Sequence, residues 1–422
     1  MLKKSVLLLF VVFLVFSIVS CDNGQVIHPK KEVNIMATLG TLPTLYAGLI
    51  ALDSPLTTYM WYSRGDTFSG TESMPDKIKL SKNIGSDFSV KIQDEFVDII
   101  HEELSKNPNV FFNLFCDDLR VQFAITVMDK AGLDENQYSV TLLSDGTGSY
   151  DLFSSRYYSS ETGFTNYLED YNSWLDAKSN PSGVSVSATT QLKNSMYPFA
   201  TKYKKDQHEY NYFLQWPEAL QSQNTDIELI MQESLLHKNG IVKMTPQTLF
   251  DNLSESNKLL FQSMVGLGGE SKVEYDGYFK SEKPALIISG TSIGGEGSKD
   301  DFERVVNEIL GDYNSYNVFF KPHPRFDPNN PSDAEYDYLT DKKDFLETNE
   351  ITILKAMMPM ESLLFIYSDV KIGGYSSSLY MSAKKEQLEF FIVNNIDELS
   401  DPLPFLYAQG LFGAVKTYDK TK

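Results

Sequence analysis

The chain has 422 residues, 57 acidic against 37 basic side chains, and a formal net charge of -20. Such a balance argues against nucleic acid or an anionic lipid surface as the main partner, and two cysteines, Cys21 and Cys116, leave no disulfide framework and no cysteine metal centre. About 400 residues are ample for two cores, since one core seldom grows past ~250–300 residues.

At the N-terminus, Lys3 and Lys4 precede an apolar run from Val6 to Val19 that ends in Ile18, Val19, Ser20 and Cys21. A charged start, a short apolar stretch and a small residue before the cut make a secretory signal rather than a spanning helix. The pattern is that of a bacterial lipoprotein: residues 1–20 are the signal peptide, Cys21 is the lipidated (palmitate-bearing) residue, and 21–32 is a polar tether through Asp22, Asn23 and Gly24. It predicts a protein held at the cell envelope by a lipid anchor. Loss of Lys3 and Lys4 takes the charge from -20 to -22.

Strands and helices then alternate. Val33 to Leu39 reads as a strand, Pro43 to Leu52 as a helix and Thr57 to Tyr62 as a strand. Ile92, Phe96, Ile99 and Ile100 have helical spacing; Asn109 to Phe115 is an apolar run; a helix near Leu119 to Met128 leads to a strand from Tyr138 to Leu143, which stops at Ser144, Asp145 and Gly146. The order predicts a parallel sheet wrapped by helices. The middle, Asp151 to Ser281, is rich in Tyr, Gln, Asn and Lys and reads as mostly helical, with a domain boundary near Tyr203. Alternation resumes with a strand at Pro284 to Ser289, a helix from Asp300 to Leu310 opened by a Ser298/Asp301 capping box, and a strand at Val318 to Lys321. A helix near Glu361, a strand at Asp369 to Ile372, a helix from Leu379 and a strand at Leu388 to Val393 follow. Two α/β halves, 33–203 and 204–395, imply a cleft between them.

Familiar site patterns fail in turn. Gly290 to Gly295 has P-loop glycine spacing, but Glu296 and Gly297 stand where Lys and Ser or Thr are needed. A calcium loop on Asp145, Thr147 and Ser149 lacks its closing glutamate, and the five histidines show no zinc spacing. What remains are polar groups at strand ends: Asp145 and Gly146, which alone make a tight turn; Gly373 to Ser378, which alone need be only a helix cap but also suit a phosphate; and His323, set between Pro322 and Pro324.

Taken in order, Thr41-Leu42-Pro43, Asp145-Gly146, Ser289-Gly290-Thr291, Lys321-Pro322-His323-Pro324-Arg325, Glu361, Gly373-Gly374 and Ser377-Ser378-Leu379-Tyr380 resemble the bacterial sialyltransferases of glycosyltransferase family 80, over nearly all of the mature chain. The resemblance implies the GT-B fold, with two Rossmann-like domains facing across a cleft and the segment 396–422 packing back on the first. It implies an inverting, metal-independent transfer, without any cofactor, of sialic acid from a CMP-sialic acid donor to a galactoside acceptor glycan. By position, it makes Asp145 the base and His323 the residue at the phosphate of departing CMP. It puts Gly290, Thr291, Lys321, Pro324, Glu361, Ser377 and Ser378 around the donor nucleotide and Thr41 and Arg64 on the sugar side.

The residue types suit that chemistry in their own right, since inversion needs a base on one side and a charge stabiliser on the other, one from each domain. Ser144 replaces the usual first aspartate; Pro322 replaces the usual glycine and the loop after Thr291 lacks the tryptophan of well-known members, and these two departures predict a weaker or differently selective donor site. Two alternatives stay open: a transferase for another CMP-activated acidic sugar such as Kdo, and a surface lipoprotein that binds sugar or nucleotide without turnover.

Overall fold

The computed structural model describes residues 31–63, 67–81, 90–179, 196–202, 210–236, 240–291, 296–323, 342–356 and 358–421. The expected signal peptide with Cys21, and the site candidates Arg64 and Pro324, lie outside them. Among the described residues no helix is long and apolar enough to cross a membrane.

Seven strands form the first sheet: β1 (Glu32–Thr38), β2 (Thr57–Tyr62), β3 (Ile78–Leu80), β4 (Phe111–Asp117), β5 (Tyr138–Leu143), β6 (Tyr210–Leu214) and β7 (Gly240–Lys243), in the order β3-β2-β1-β4-β5-β6-β7. Six form the second: β8 (Ala285–Ser289), β9 (Asn317–Lys321), β10 (Thr352–Ile353), β11 (Lys371–Gly374), β12 (Leu388–Ile392) and β13 (Lys416–Tyr418), in the order β10-β9-β8-β11-β12-β13. Every pairing is parallel. Parallel strands need helical crossovers that cover both faces, so they read as continuous apolar runs; all five residues of β8 are buried.

Strand side chains alternate between faces, and the cores follow that period. Ala285, Ile287 and Phe319 join the larger core, which is continuous with that of the first sheet. Leu286, Ile288, Val318 and Phe320 join a smaller core on the opposite face. There the helix Lys299–Asp312 buries Phe302, Val305, Val306 and Ile309, and its start carries the expected Ser298/Asp301 capping box. The helix Thr41–Asp53 is apolar nearly all round, from Leu42 to Leu52, and is accordingly buried; Asn257 Nδ2 donates to Leu52 O (2.9 Å) from the helix Glu255–Met264.

The two-sheet GT-B architecture agrees with the fold class expected from the sequence; three details differ. β6 and β7 extend the first sheet to Lys243, so the passage between sheets falls between Lys243 and Ala285 and not near Tyr203. The C-terminal segment adds β13 to the second sheet beside β12 and touches the first domain through Asp401 N, which donates to Asp151 Oδ1 (2.9 Å). The helix expected from Leu379 is a 3-10 turn, Ser378–Ser382. Its last residues are claimed from outside, because Gln215 Nε2 donates to Ser382 Oγ (2.8 Å) and Trp216 Nε1 to Met381 O (3.0 Å).

Candidate active site

In an open parallel sheet the strand order reverses at one place, and beyond the carboxyl ends of the strands there the loops part to leave a crevice. In the first sheet that place lies between β1 and β4, in the second between β8 and β11. Leu39, Gly40 and Asp117 stand at the first; Gly290 and Gly374 stand at the second.

Asp145 follows β5, neighbour of β4, and is half-buried. Its carboxylate lies directly against the turn after β1, so that a β-carbon added at Gly40 would stand 1.9 Å from Asp145 Oδ1. Gly146 takes φ +87°, a left-handed conformation in which a side chain is strained. A β-carbon there would stand 2.9 Å from Ser378 Cβ. The Asp-Gly turn of one domain and the Ser-Ser turn of the other thus touch, and two expected site groups from opposite halves form one surface. Thr41, also expected there, opens the helix that follows Gly40 and is partly exposed.

On the second domain, Gly290 N donates to Lys321 O (2.9 Å), which fixes two expected donor-side residues side by side. Thr291 N donates to Glu296 Oε1 (2.9 Å), and Glu296 faces Lys342 at 3.6 Å with both side chains buried. The Lys321 ammonium points inward, donating to Pro322 O (2.9 Å) and Ala356 O (2.6 Å). Burial pulls its pKa down to about 8, against the opposing charge of Glu361. Glu361, buried in the first turn of the helix Met360–Ile366, is thereby placed near Lys321. His323 is half-buried two residues beyond β9. Ser377 precedes the 3-10 turn, and its Oγ accepts from Leu379 N (3.3 Å). Gly374, at φ +140°, lets the chain pass β8 so closely that a β-carbon would stand 2.3 Å from Ser289 O.

Sequence reasoning passed over the residues behind Asp145. Asp117 ends β4 and Asp118 opens the 3-10 turn that follows it, both buried. Leu39 N donates to Asp117 Oδ2. Burial raises the Asp117 carboxyl well above the usual range, and the charge of Asp145 adds to this, while the Leu39 and Gly40 amides pull it down. Asp118 Oδ2 accepts from Ser149 Oγ (2.5 Å) and Tyr212 OH (2.6 Å). Ser149 belongs to the helix Thr147–Tyr157, not to a calcium loop. Among the described residues no group of three or more His, Cys, Asp or Glu is placed to hold a metal ion. The one available signal was an Asp-Asp pair closing an apolar strand.

Two facing parallel α/β sheets, with polar turns meeting at their carboxyl ends, define a GT-B protein. The chain belongs to the alpha-2,8-polysialyltransferase (POLYST) family, whose model matches residues 134–386. Its fold is similar to that of the α/β-galactoside α-2,3-sialyltransferase of Photobacterium phosphoreum, at 14% identity and a TM-score of 0.65, covering 92% of this chain and 99% of that one. It is similar as well to the 2,6-sialyltransferase of Photobacterium sp. JT-ISH-224, whose structure holds CMP and lactose (16% identity, TM-score 0.64, 93% of this chain and 78% of that one). The same holds for the GT-B domain of a Photobacterium damselae sialyltransferase (16%, 0.60, 92% and 99%). A comparison with curated protein sequences finds no match.

Proposed function

We propose that this protein is an inverting, metal-independent sialyltransferase that takes sialic acid from CMP-sialic acid, using the site in the manner of glycosyltransferase family 80. The observation that carries the reading is the contact of Gly146 with Ser378, which sets Asp145 beside the expected phosphate-holding serines. In the reaction the acceptor hydroxyl gives its proton to Asp145 while its oxygen bonds to the anomeric carbon of sialic acid. The bond from that carbon to the CMP phosphate oxygen breaks, and its electron pair leaves with CMP. His323, Ser377 and Ser378 stabilise the departing phosphate.

The acceptor has two readings. The named activities of the structural relatives favour a galactoside, whereas the family name favours a glycan that already ends in sialic acid. We further propose that the chain works at the cell envelope, tethered through a lipid on Cys21; a Cys21→Ser chain that still sediments with membranes would refute the tether.

The test uses protein starting near Gln25, CMP-sialic acid, EDTA, and lactose or sialyl-lactose, with CMP and product followed by mass spectrometry. Transfer is expected with at least one acceptor, and Asp145→Ala should lower kcat by at least about 10²–10⁴-fold, the usual worth of general acid–base catalysis, with CMP still bound. Transfer undiminished in Asp145→Ala removes the assigned base. Absence of transfer from CMP-sialic acid, with transfer from a Kdo donor, would move the donor assignment.

A further inference from the structure

Asp117 and Asp118 are neighbours in sequence whose carboxylates serve opposite sides of the Asp145 turn. Toward β1, Asp117 Oδ2 accepts from Leu39 N, and the Gly40 amide acts with it to pull the carboxyl's pKa down. Leu39 and Gly40 are the wall against which Asp145 Oδ1 lies. Thr44 fastens the same wall from beyond, since its Oγ1 donates to Gly40 O (2.7 Å). Toward the helix Thr147–Tyr157, Asp118 Oδ2 accepts from Ser149 Oγ, and Ser149 Oγ lies 3.0 Å from Ser144 Oγ. Ser144 Oγ in turn accepts from Gly146 N (3.2 Å). Tyr212 OH on β6 and Tyr197 OH, which donates to Ser149 O (3.0 Å), close this side. The residues before and after Asp145 are therefore both tied to Asp118, and the surface in front of Asp145 is tied to Asp117.

Two adjacent carboxylates buried beside a third acidic group are an expensive way to hold a loop, because each must be taken out of water. Neutral acceptors would hold a merely structural turn at lower cost. Asp117 Oδ1 is buried and meets no hydrogen-bond donor among the described residues, so the full bonding capacity of the group is not what its placement serves. Charged acceptors do give shorter and stronger bonds to backbone amides and hydroxyls, which stiffens whatever they hold.

We propose that Asp117 and Asp118 are positioning residues for Asp145: a two-sided brace, through Leu39 and Gly40 on one side and Ser149 and Ser144 on the other, that fixes the carboxylate relative to the acceptor hydroxyl. This rests on the reading of Asp145 as the base.

The test compares Asp117→Asn, which keeps an acceptor oxygen, Asp117→Leu, which does not, and Ser144→Ala, which cuts the relay without touching either aspartate. Misplacement of a catalytic group by about 1 Å can cost about 10²-fold, so kcat should fall up to that much in Asp117→Leu and Ser144→Ala, less in Asp117→Asn, with donor KM unchanged. On an Asp145→Ala background the same changes should lower kcat no further. Asp117→Asn keeps an acceptor oxygen toward Leu39 N and removes an acidic group from beside Asp145, so it should be no less thermally stable than the parent at pH 7 even as its kcat falls. Amide hydrogen exchange gives a readout free of turnover: Leu39, Gly40 and Gly146 to Ser149 should exchange faster in the variants while β1, β4 and β5 stay protected. Unchanged exchange in Ser144→Ala and Asp117→Asn, or faster exchange with unchanged kcat, overturns the brace. If the parent protein transfers nothing, the functional reading fails and exchange alone decides whether the brace holds the turn. Should Asp117→Leu not fold, the other two variants carry the same decision.

Discussion

The carboxyl ends of the two sheets solve different problems with different materials. At the first, Asp145 is surrounded by side chains that bond in fixed directions: Asp117, Asp118, Ser144, Ser149 and Tyr212. At the second, approach is governed by backbone and by the lack of side chains: Gly290 bonded to Lys321 O, and Gly374 against Ser289. A base must be held at one point to within a fraction of an ångström, and only a network with directionality does that. A nucleotide phosphate needs clear space beside backbone amides, and glycine provides it.

The contrast can be broken most forcefully at Gly374. A β-carbon there meets Ser289 O at 2.3 Å and Ser289 N at 2.7 Å, both backbone, at a φ of +140° that disfavours any side chain. Gly374→Ala must part β11 from β8, and a loss on the order of 3 kcal/mol is expected in denaturant unfolding. A variant as stable as the parent would show that the second site tolerates side chains after all.

A smaller effect tests the other side. Arg156 in the helix Thr147–Tyr157 holds the buried Asp170 through two bonds, Nε to Oδ2 (2.6 Å) and an amino group to Oδ1 (2.8 Å), and Tyr157 OH donates to it at 2.7 Å. Asp170→Ala strips this helix, which carries Ser149, of its charged tie to the helix Gly163–Ser179, leaving the bond from Asn166 Nδ2 to Arg156 O (2.7 Å). Because Arg156 reaches solvent, the expected cost is roughly 2–3 kcal/mol, read from the same unfolding curves, with a drop in kcat if the network around Asp145 is continuous.

The smallest effect concerns Lys321, a buried cation at the end of β9. Burial first, opposed by Glu361, sets Lys321 at about 8 against an ordinary 10.5. The folded chain gives up this proton before the unfolded one, so stability from this group rises with pH between about 8 and 10.5. The positive charge that the folded chain holds at the proposed nucleotide side is lost as pH passes about 8. CMP affinity should weaken by up to about tenfold across pH 8, and Lys321→Met should flatten that step; an equal step in the variant would assign it elsewhere.

The same contrast governs what could be read in the sequence. The residues proposed for the donor side could be picked out because they are contiguous: Gly373 to Ser378, or Lys321 to His323. So was the helix Lys299–Asp312, whose start bonds and apolar face lie within one segment. The brace was not, because Asp118 meets Ser149 and Tyr212, and through Ser149 reaches Ser144, only after three strands have paired. Strands β6 and β7 were lost for a related reason. Tyr210 to Leu214 alternates buried and half-exposed residues in a polar, tyrosine-rich stretch, and its strand character comes from its neighbours β5 and β7. β3, β10 and β13, at the sheet edges, have only two or three residues each, too few for a period to show. The turn at Ser378–Ser382 carries helix-like residues but is bent by Gln215 and Trp216 from the other domain.

The near-collision of Gly146 with Ser378 also limits how such enzymes can recombine. Exchanging whole halves between relatives, with the crossover placed in 244–284, brings together two turns that never evolved side by side. Any residue larger than glycine at position 146 would drive a side chain into Ser378. Chimaeras should therefore be chosen by the match of these two positions before overall sequence similarity is considered, and a library built without that match would spend most of its members on closed halves that cannot meet.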